Sequence, residues 1–198
     1  MRKEHFTSWI SIFGITAFIV FTLTVHLINP DVDAVKLPVS FYALVKLGEL
    51  QNIGFFMIGL SEIFLAFNIG KMDKLNNSFI PKILFTAGIA VFVIGIFPMD
   101  INKIRTWHGL IHIYSAAIHF ILFSVVSVLT GYKLPTGKMR SFSLFTGYST
   151  FVILVFISII LRYEESTIFK FYGLIQRFDI LIIITWLIVI NIYFLSRN

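Results

Sequence analysis

The chain carries six long stretches almost free of charge, and segments of that kind have few places to fold other than a lipid bilayer. No residue between Phe6 and Val25 is charged. Leu50–Ser61, Ile83–Met99, Ile113–Tyr132, Ser141–Leu161 and Ile180–Ser196 repeat the pattern. A helix needs roughly 20 residues to cross about 30 Å of hydrocarbon. The runs predict an all-α integral membrane protein of six transmembrane helices, near residues 8–28, 48–69, 79–97, 107–130, 142–161 and 174–195. Short connections would join them into one bundle over residues 1–198. Composition agrees: 58% of residues are hydrophobic and 13% charged, with a mean hydropathy of +0.91. A soluble domain of this length needs more polar surface.

The first run follows "MRKEH", but its apolar core is too long for a signal peptide and no small-residue cleavage site follows, so a retained anchor is expected. The absence of cysteine excludes disulfide and thiolate chemistry. The net charge is +6, yet Lys and Arg stand singly in loops. That pattern suits headgroup anchoring and gives no sign of nucleic-acid binding.

Alternate loops differ slightly in basic residues. Arg2, Lys3, Lys71, Lys74, Lys82, Lys133, Lys138, Arg140 and Arg197 fall on one side, against Lys36, Lys46, Lys103, Arg105, Arg162, Lys170 and Arg177 on the other. The second set shares its loops with Asp31, Asp33, Asp100, Glu164 and Glu165. Both termini are therefore expected in the cytoplasm of a cell-membrane protein, with loops 1, 3 and 5 outside. Whatever the sign, His26, Glu49, Gln51, Asn52, Asp100, His108, His112, Gln176 and Arg177 gather at one end of the bundle. The opposite loops offer mainly Lys, Asn, Ser and Thr, with Glu4 and Asp73.

Helix 4 holds the densest chemistry. At about 100° per residue, His108, His112, Ser115 and His119 fall within roughly 60° of one another, a polar stripe that should face the interior. Three readings are open. The imidazoles are interhelical hydrogen-bond partners; or Asp100, His108 and His112, with Glu49, hold a divalent metal such as zinc or run acid–base chemistry; or His26 and a helix 4 histidine ligate a b-type haem, with Gly109, Ala116 and Ala117 making room. His119 lies about 16 Å from His108 along the helix and cannot share its coordination sphere. Pro98 ends helix 3. Asp100 serves as a turn or helix-start residue, or pairs with Arg177, a residue whose free donors would suit an anionic group. Glu62 lies deeper, on another face of helix 2 from Glu49, and His119 is the ionisable group of helix 4 deep enough to pair with it. Such a pair would set helix registry or relay a proton.

P-loop, H-E-x-x-H and G-x-S-x-G signatures are absent, and so is any internal repeat that would mark an inverted-repeat transporter. The segments "GIFPMD" (Gly95–Asp100), "WHGLIH" (Trp107–His112) and "GLIQR" (Gly173–Arg177), with Trp186 beyond, resemble the prokaryotic integral membrane family catalogued as domain of unknown function 998. The resemblance runs from about "LGELQNIGFFMIGL" onward and implies a multi-helix membrane protein without assigning an activity. By match to its motifs it points to Asp100, His108 and Arg177, and to Gln176. His26, His112 and His119 rest on spacing alone. The expected function is an enzyme-like site acting on a lipid or amphiphile, with Asp100, His108 and His112 catalytic or metal-binding, and Arg177, Gln176, Glu49 and Asn52 holding substrate. The alternatives are a non-catalytic transporter, sensor or assembly subunit that binds a solute or partner helix, and haem- or quinone-linked electron transfer.

Overall fold

The computed structural model describes residues 3–71, 79–100, 106–163 and 167–196. Arg2, Asp73, Lys74, Lys103, Arg105, Glu164, Glu165 and Arg197, used above to orient the bundle, lie outside them, as do the side chains of Lys3 and Glu4. The described residues form six α-helices: α1 (Lys3–Ile28), α2 (Gly48–Gly70), α3 (Ile80–Ile96), α4 (Trp107–Lys133), α5 (Lys138–Ile160) and α6 (Tyr172–Leu195). Two short 3-10 helices, Val39–Leu44 and Thr167–Phe171, precede α2 and α6. No strand occurs among the described residues.

Five segments are long and apolar enough to cross a membrane: His5–Ile28, Gly48–Gly70, Trp107–Lys133, Lys138–Ile160 and Thr167–Leu195. The protein is thus a multi-pass membrane protein. The remaining helix, α3, is apolar but only 17 residues long. Large side chains such as Phe13, Ile113, Phe151 and Val152 point outward, as a lipid-facing surface requires.

Each helix packs on its neighbours in chain order, and α6 closes the ring against α1. Short connections impose this up-and-down order, because consecutive helices cannot travel far before turning back. The start of α1 and the end of α6 share one end of the ring. Small residues set the closest crossings. A methyl group on Gly88 would sit 2.7 Å from the Gly59 carbonyl oxygen, and one on Gly59 would sit 2.8 Å from that of Gly88. The backbones of α2 and α3 therefore meet directly, the contact by which membrane helices gain dispersion energy. At the α4–α5 crossing the Ser124 hydroxyl donates to the Gly147 carbonyl at 2.7 Å.

Helix ends follow local chemistry. Pro81 stands in the first turn of α3, where its missing N–H costs nothing. Thr106 caps α4 by accepting from Gly109 N–H at 3.1 Å. Leu47 takes a left-handed conformation (φ 60°) to turn the chain into α2, and at the next position a Cβ on Gly48 would strike the Ala43 carbonyl. Helix α5 starts ahead of its apolar run because Lys138 and Arg140 continue the helix beyond it.

Candidate functional site

The ring encloses a cavity of about 60 Å³, bounded by Phe18, Val39, Ser40, Phe55, Ile58, Glu62, Val91, Ile94, His112, Ala116, His119, Phe120, Gln176, Ile180 and Ile183. Three helices contribute a stripe at helical spacing: Phe55, Ile58 and Glu62 from α2; His112, Ala116 and His119 from α4; Gln176, Ile180 and Ile183 from α6. The floor is the fully buried Glu62. His119 Nε2 donates to Glu62 Oε1 at 2.8 Å. Since α2 and α4 run the same way from the same end, residues about a dozen positions into each arrive at one depth. The second carboxyl oxygen of Glu62 is buried without a hydrogen-bond partner.

The opposite end of the cavity is roofed by the first loop. Its 3-10 helix turns Val39, Ser40 and Tyr42 inward, all three buried. Helix α6 clamps this roof with its first two turns. The Arg177 guanidinium donates from Nη1 to the Ala34, Leu37 and Gly173 carbonyls at 2.5, 2.6 and 3.1 Å and lies 5.3 Å from the Tyr42 ring centre. Gln176 Oε1 accepts from Val39 N–H at 2.8 Å, and Leu174 N–H donates to the Val35 carbonyl at 2.9 Å. The Tyr42 hydroxyl shares a 2.6 Å hydrogen bond with His26 Nδ1. Arg177 Nη1 is therefore committed to backbone carbonyls, Nη2 is buried without a hydrogen-bond partner, and no pair with Asp100 forms among the described residues. His26 belongs to the roof and does not border the cavity, which is also far too small for a porphyrin.

Asp100 has a local task. Thr106 donates to it twice, from the hydroxyl at 2.6 Å and from the backbone N–H at 2.9 Å. The hydroxyl bond first, then the backbone bond, holds the Asp100 carboxyl below the usual carboxylate range. Gly109 leaves room for it, since a Cβ there would overlap the carboxylate. His112 Nδ1 donates at 2.8 Å to the Phe97 carbonyl, an acceptor orphaned by the end of α3. His108 is exposed, and its ring centre lies 3.4 Å from that of Trp107. The arrangement does not draw Asp100, His108 and His112 onto one metal ion, and no group of three His, Cys, Asp or Glu side chains suited to a metal exists among the described residues. Glu49 is exposed in the first turn of α2, where its charge suits the helix dipole. Neither it nor the half-buried Asn52 borders the cavity.

The segment Gly95–Asp100 now has a reason at nearly every position. Gly95 admits the Phe56 ring against α3, Phe97 offers its carbonyl to His112, Pro98 follows the helix end, and Asp100 accepts from Thr106, the residue that caps α4. The family described as "Protein of unknown function (DUF998)" matches residues 12–193, which include this segment and the Gln176–Arg177 clamp. The chain belongs to the DUF998 family. No curated protein and no solved structure matches it.

In this DUF998 protein two interior groups escape the motif reading. Gln51 is fully buried with neither amide atom hydrogen-bonded, and it extends the Phe55–Ile58–Glu62 stripe one turn toward the roof. Asp179 of α6 is fully buried with both carboxyl oxygens unpartnered. An acidic residue inside the expected span 174–195, directly ahead of the apolar run, was a signal for it, obscured by the nearby Gln-Arg pair.

Proposed function

We propose that this protein is a solute-binding membrane protein whose central cavity, beneath the first loop, takes a small hydrogen-bond donor, cationic by preference. The observation that carries the reading is Glu62: one oxygen is held by His119, while the other is buried without a donor at the wall of a cavity. An acceptor in that position wants an ammonium, a hydroxyl or water. A volume of about 60 Å³ accommodates a few waters or a solute of two or three heavy atoms. Pockets for drug-sized ligands run from about 300 Å³ upward, so a lipid headgroup is a poor fit. His112 and Gln176 line the same space nearer the roof, and proton exchange within the Glu62–His119 pair would couple binding to pH. The favoured topology has six crossings, with α3 as a short span, both termini in the cytoplasm and the roof facing outward across the cell membrane.

The test is thermal unfolding of the purified protein in lipid nanodiscs, with methylammonium chloride compared against sodium chloride at equal ionic strength. The expected result is a rise in midpoint with methylammonium in the wild type, lost in Glu62→Gln. No rise in the wild type, or an equal rise in Glu62→Gln, contradicts the reading.

A further inference from the structure

We propose that Asp179 is a second proton-carrying carboxyl beside the Glu62–His119 pair, and that the buried hydroxyls of Thr150, Thr146, Ser127 and Thr130 lead protons from it toward the far end of the bundle. The inference rests on the reading of that pair as a group that exchanges protons with the cavity.

Register places Asp179. Trp186 Nε1–H donates to Ser143 Oγ at 3.0 Å, which fixes antiparallel α5 against α6. Asp179 stands seven residues before Trp186 and Thr150 seven after Ser143, so the two face each other at one height. The Thr150 hydroxyl lies near the Asp179 carboxyl, short of a full hydrogen bond, and the His119 imidazole acts on its charge from α4. The buried ionisable group of α2 is Glu62, which is bonded to His119. The buried polar groups of α1 and α5 are hydroxyls, and Arg177 of α6 is committed to the roof. A buried carboxyl with neither oxygen bonded has one capacity that a neutral side chain lacks, the uptake and release of a proton.

Below Asp179 the interior changes character. Thr150, Thr146, Ser127 and Thr130 are all buried, and none of their hydroxyls has a hydrogen-bond partner in the structure. Orphaned buried hydroxyls are uncommon and call for an explanation. Thr130 lies eleven residues beyond His119, on the same face of α4 and about 16 Å further along it. On the α5 side, a Cβ at Gly147 would touch Val128, and one at Gly131 would touch Leu144. The four hydroxyls therefore descend together along the α4–α5 seam. The cavity occupies one half of the bundle and this file lines the other, with Asp179 between them.

The transfer balances without any co-reactant. A hydronium ion in the cavity gives its proton to the Glu62–His119 pair, and the imidazole gives one to the Asp179 carboxylate. The neutral acid then releases a proton to the hydroxyl file, where each oxygen accepts one and gives one up, and the last passes it to water beyond the far end. At each hop one O–H or N–H bond breaks as another forms, so the net change is one proton moved from water at one end to water at the other.

The test is proton flux into proteoliposomes loaded with pyranine, driven by a potassium diffusion potential with valinomycin. Wild-type vesicles are expected to conduct well above protein-free vesicles. Asp179→Asn should reduce flux at least tenfold and the double variant Thr146→Val, Thr150→Val several-fold, while both keep the methylammonium-dependent rise in unfolding midpoint. Wild-type flux equal to that of empty vesicles overturns the path, and so does wild-type flux in either variant. Flux that depends on Asp179 in a protein that shows no methylammonium effect supports the path and refutes the solute reading alone.

Discussion

Separating Glu62 from His119 should be the most damaging conservative change in the bundle, and only when one partner is removed. Glu62 is fully buried and the contact is 2.8 Å. His119→Leu leaves a buried carboxyl with no partner on either oxygen, a loss of about 3–5 kcal/mol. Glu62→Leu leaves an imidazole N–H unbonded, which costs about 1–3 kcal/mol. Replacing both removes the desolvation penalty together with the attraction, so the double variant should lie within about 1 kcal/mol of wild type. The coupling between the two sites is then about 3 kcal/mol or more, at the upper end of what contacting residues show. Equilibrium unfolding in mixed micelles titrated with sodium dodecyl sulfate gives all four stabilities. Losses that add to within about 0.5 kcal/mol, as independent sites do, would refute the argument.

Other expectations concern the roof and the helix ends. Arg177→Lys should loosen residues 29–47, seen as faster amide exchange there, because an ammonium lacks the planar fork of donors that reaches several carbonyls at once; unchanged exchange would count against the clamp. Thr106→Ala should cost about 1 kcal/mol through loss of the α4 cap, read by the same unfolding assay. The Asp100 carboxyl is depressed in the folded state, so its contribution is complete above the unfolded value near 3.8 and fades as pH falls through the lower folded value; Asp100→Asn should flatten that acid limb of stability. Gly88→Val should destabilise by more than about 2 kcal/mol, since its branched side chain would enter the backbone contact with Gly59.

The helices were legible because length and apolarity alone define a membrane span, and only their ends needed side-chain detail. Glu62 and His119 could be paired in advance because both lie about a dozen residues into parallel helices. The i, i+4 spacing of His108 and His112 shows that they share a face, but it cannot show what each ring meets. His108 lies exposed against the tilted Trp107 ring, while His112 turns to a carbonyl at the end of α3. Arg177 could not be assigned from sequence, because its partners are main-chain carbonyls that any residues could supply. Gln51 and Asp179 were visible as polar residues in apolar runs. Their lack of hydrogen-bond partners depends on three-dimensional packing and has no signature in the chain.

A cysteine-free sequence permits the most direct test of a solute-accessible cavity beneath the first loop. Single cysteines at Ser40 and Ala116, which line the cavity, and at Ile113, which faces outward, can be exposed in proteoliposomes to silver ion in chloride-free buffer, a thiol reagent small enough for the cavity. The expected result is modification of Ser40→Cys and Ala116→Cys, slowed by methylammonium, with Ile113→Cys unreactive in lipid. An Ala116→Cys that reacts no faster than Ile113→Cys would contradict a solute-accessible cavity above Glu62.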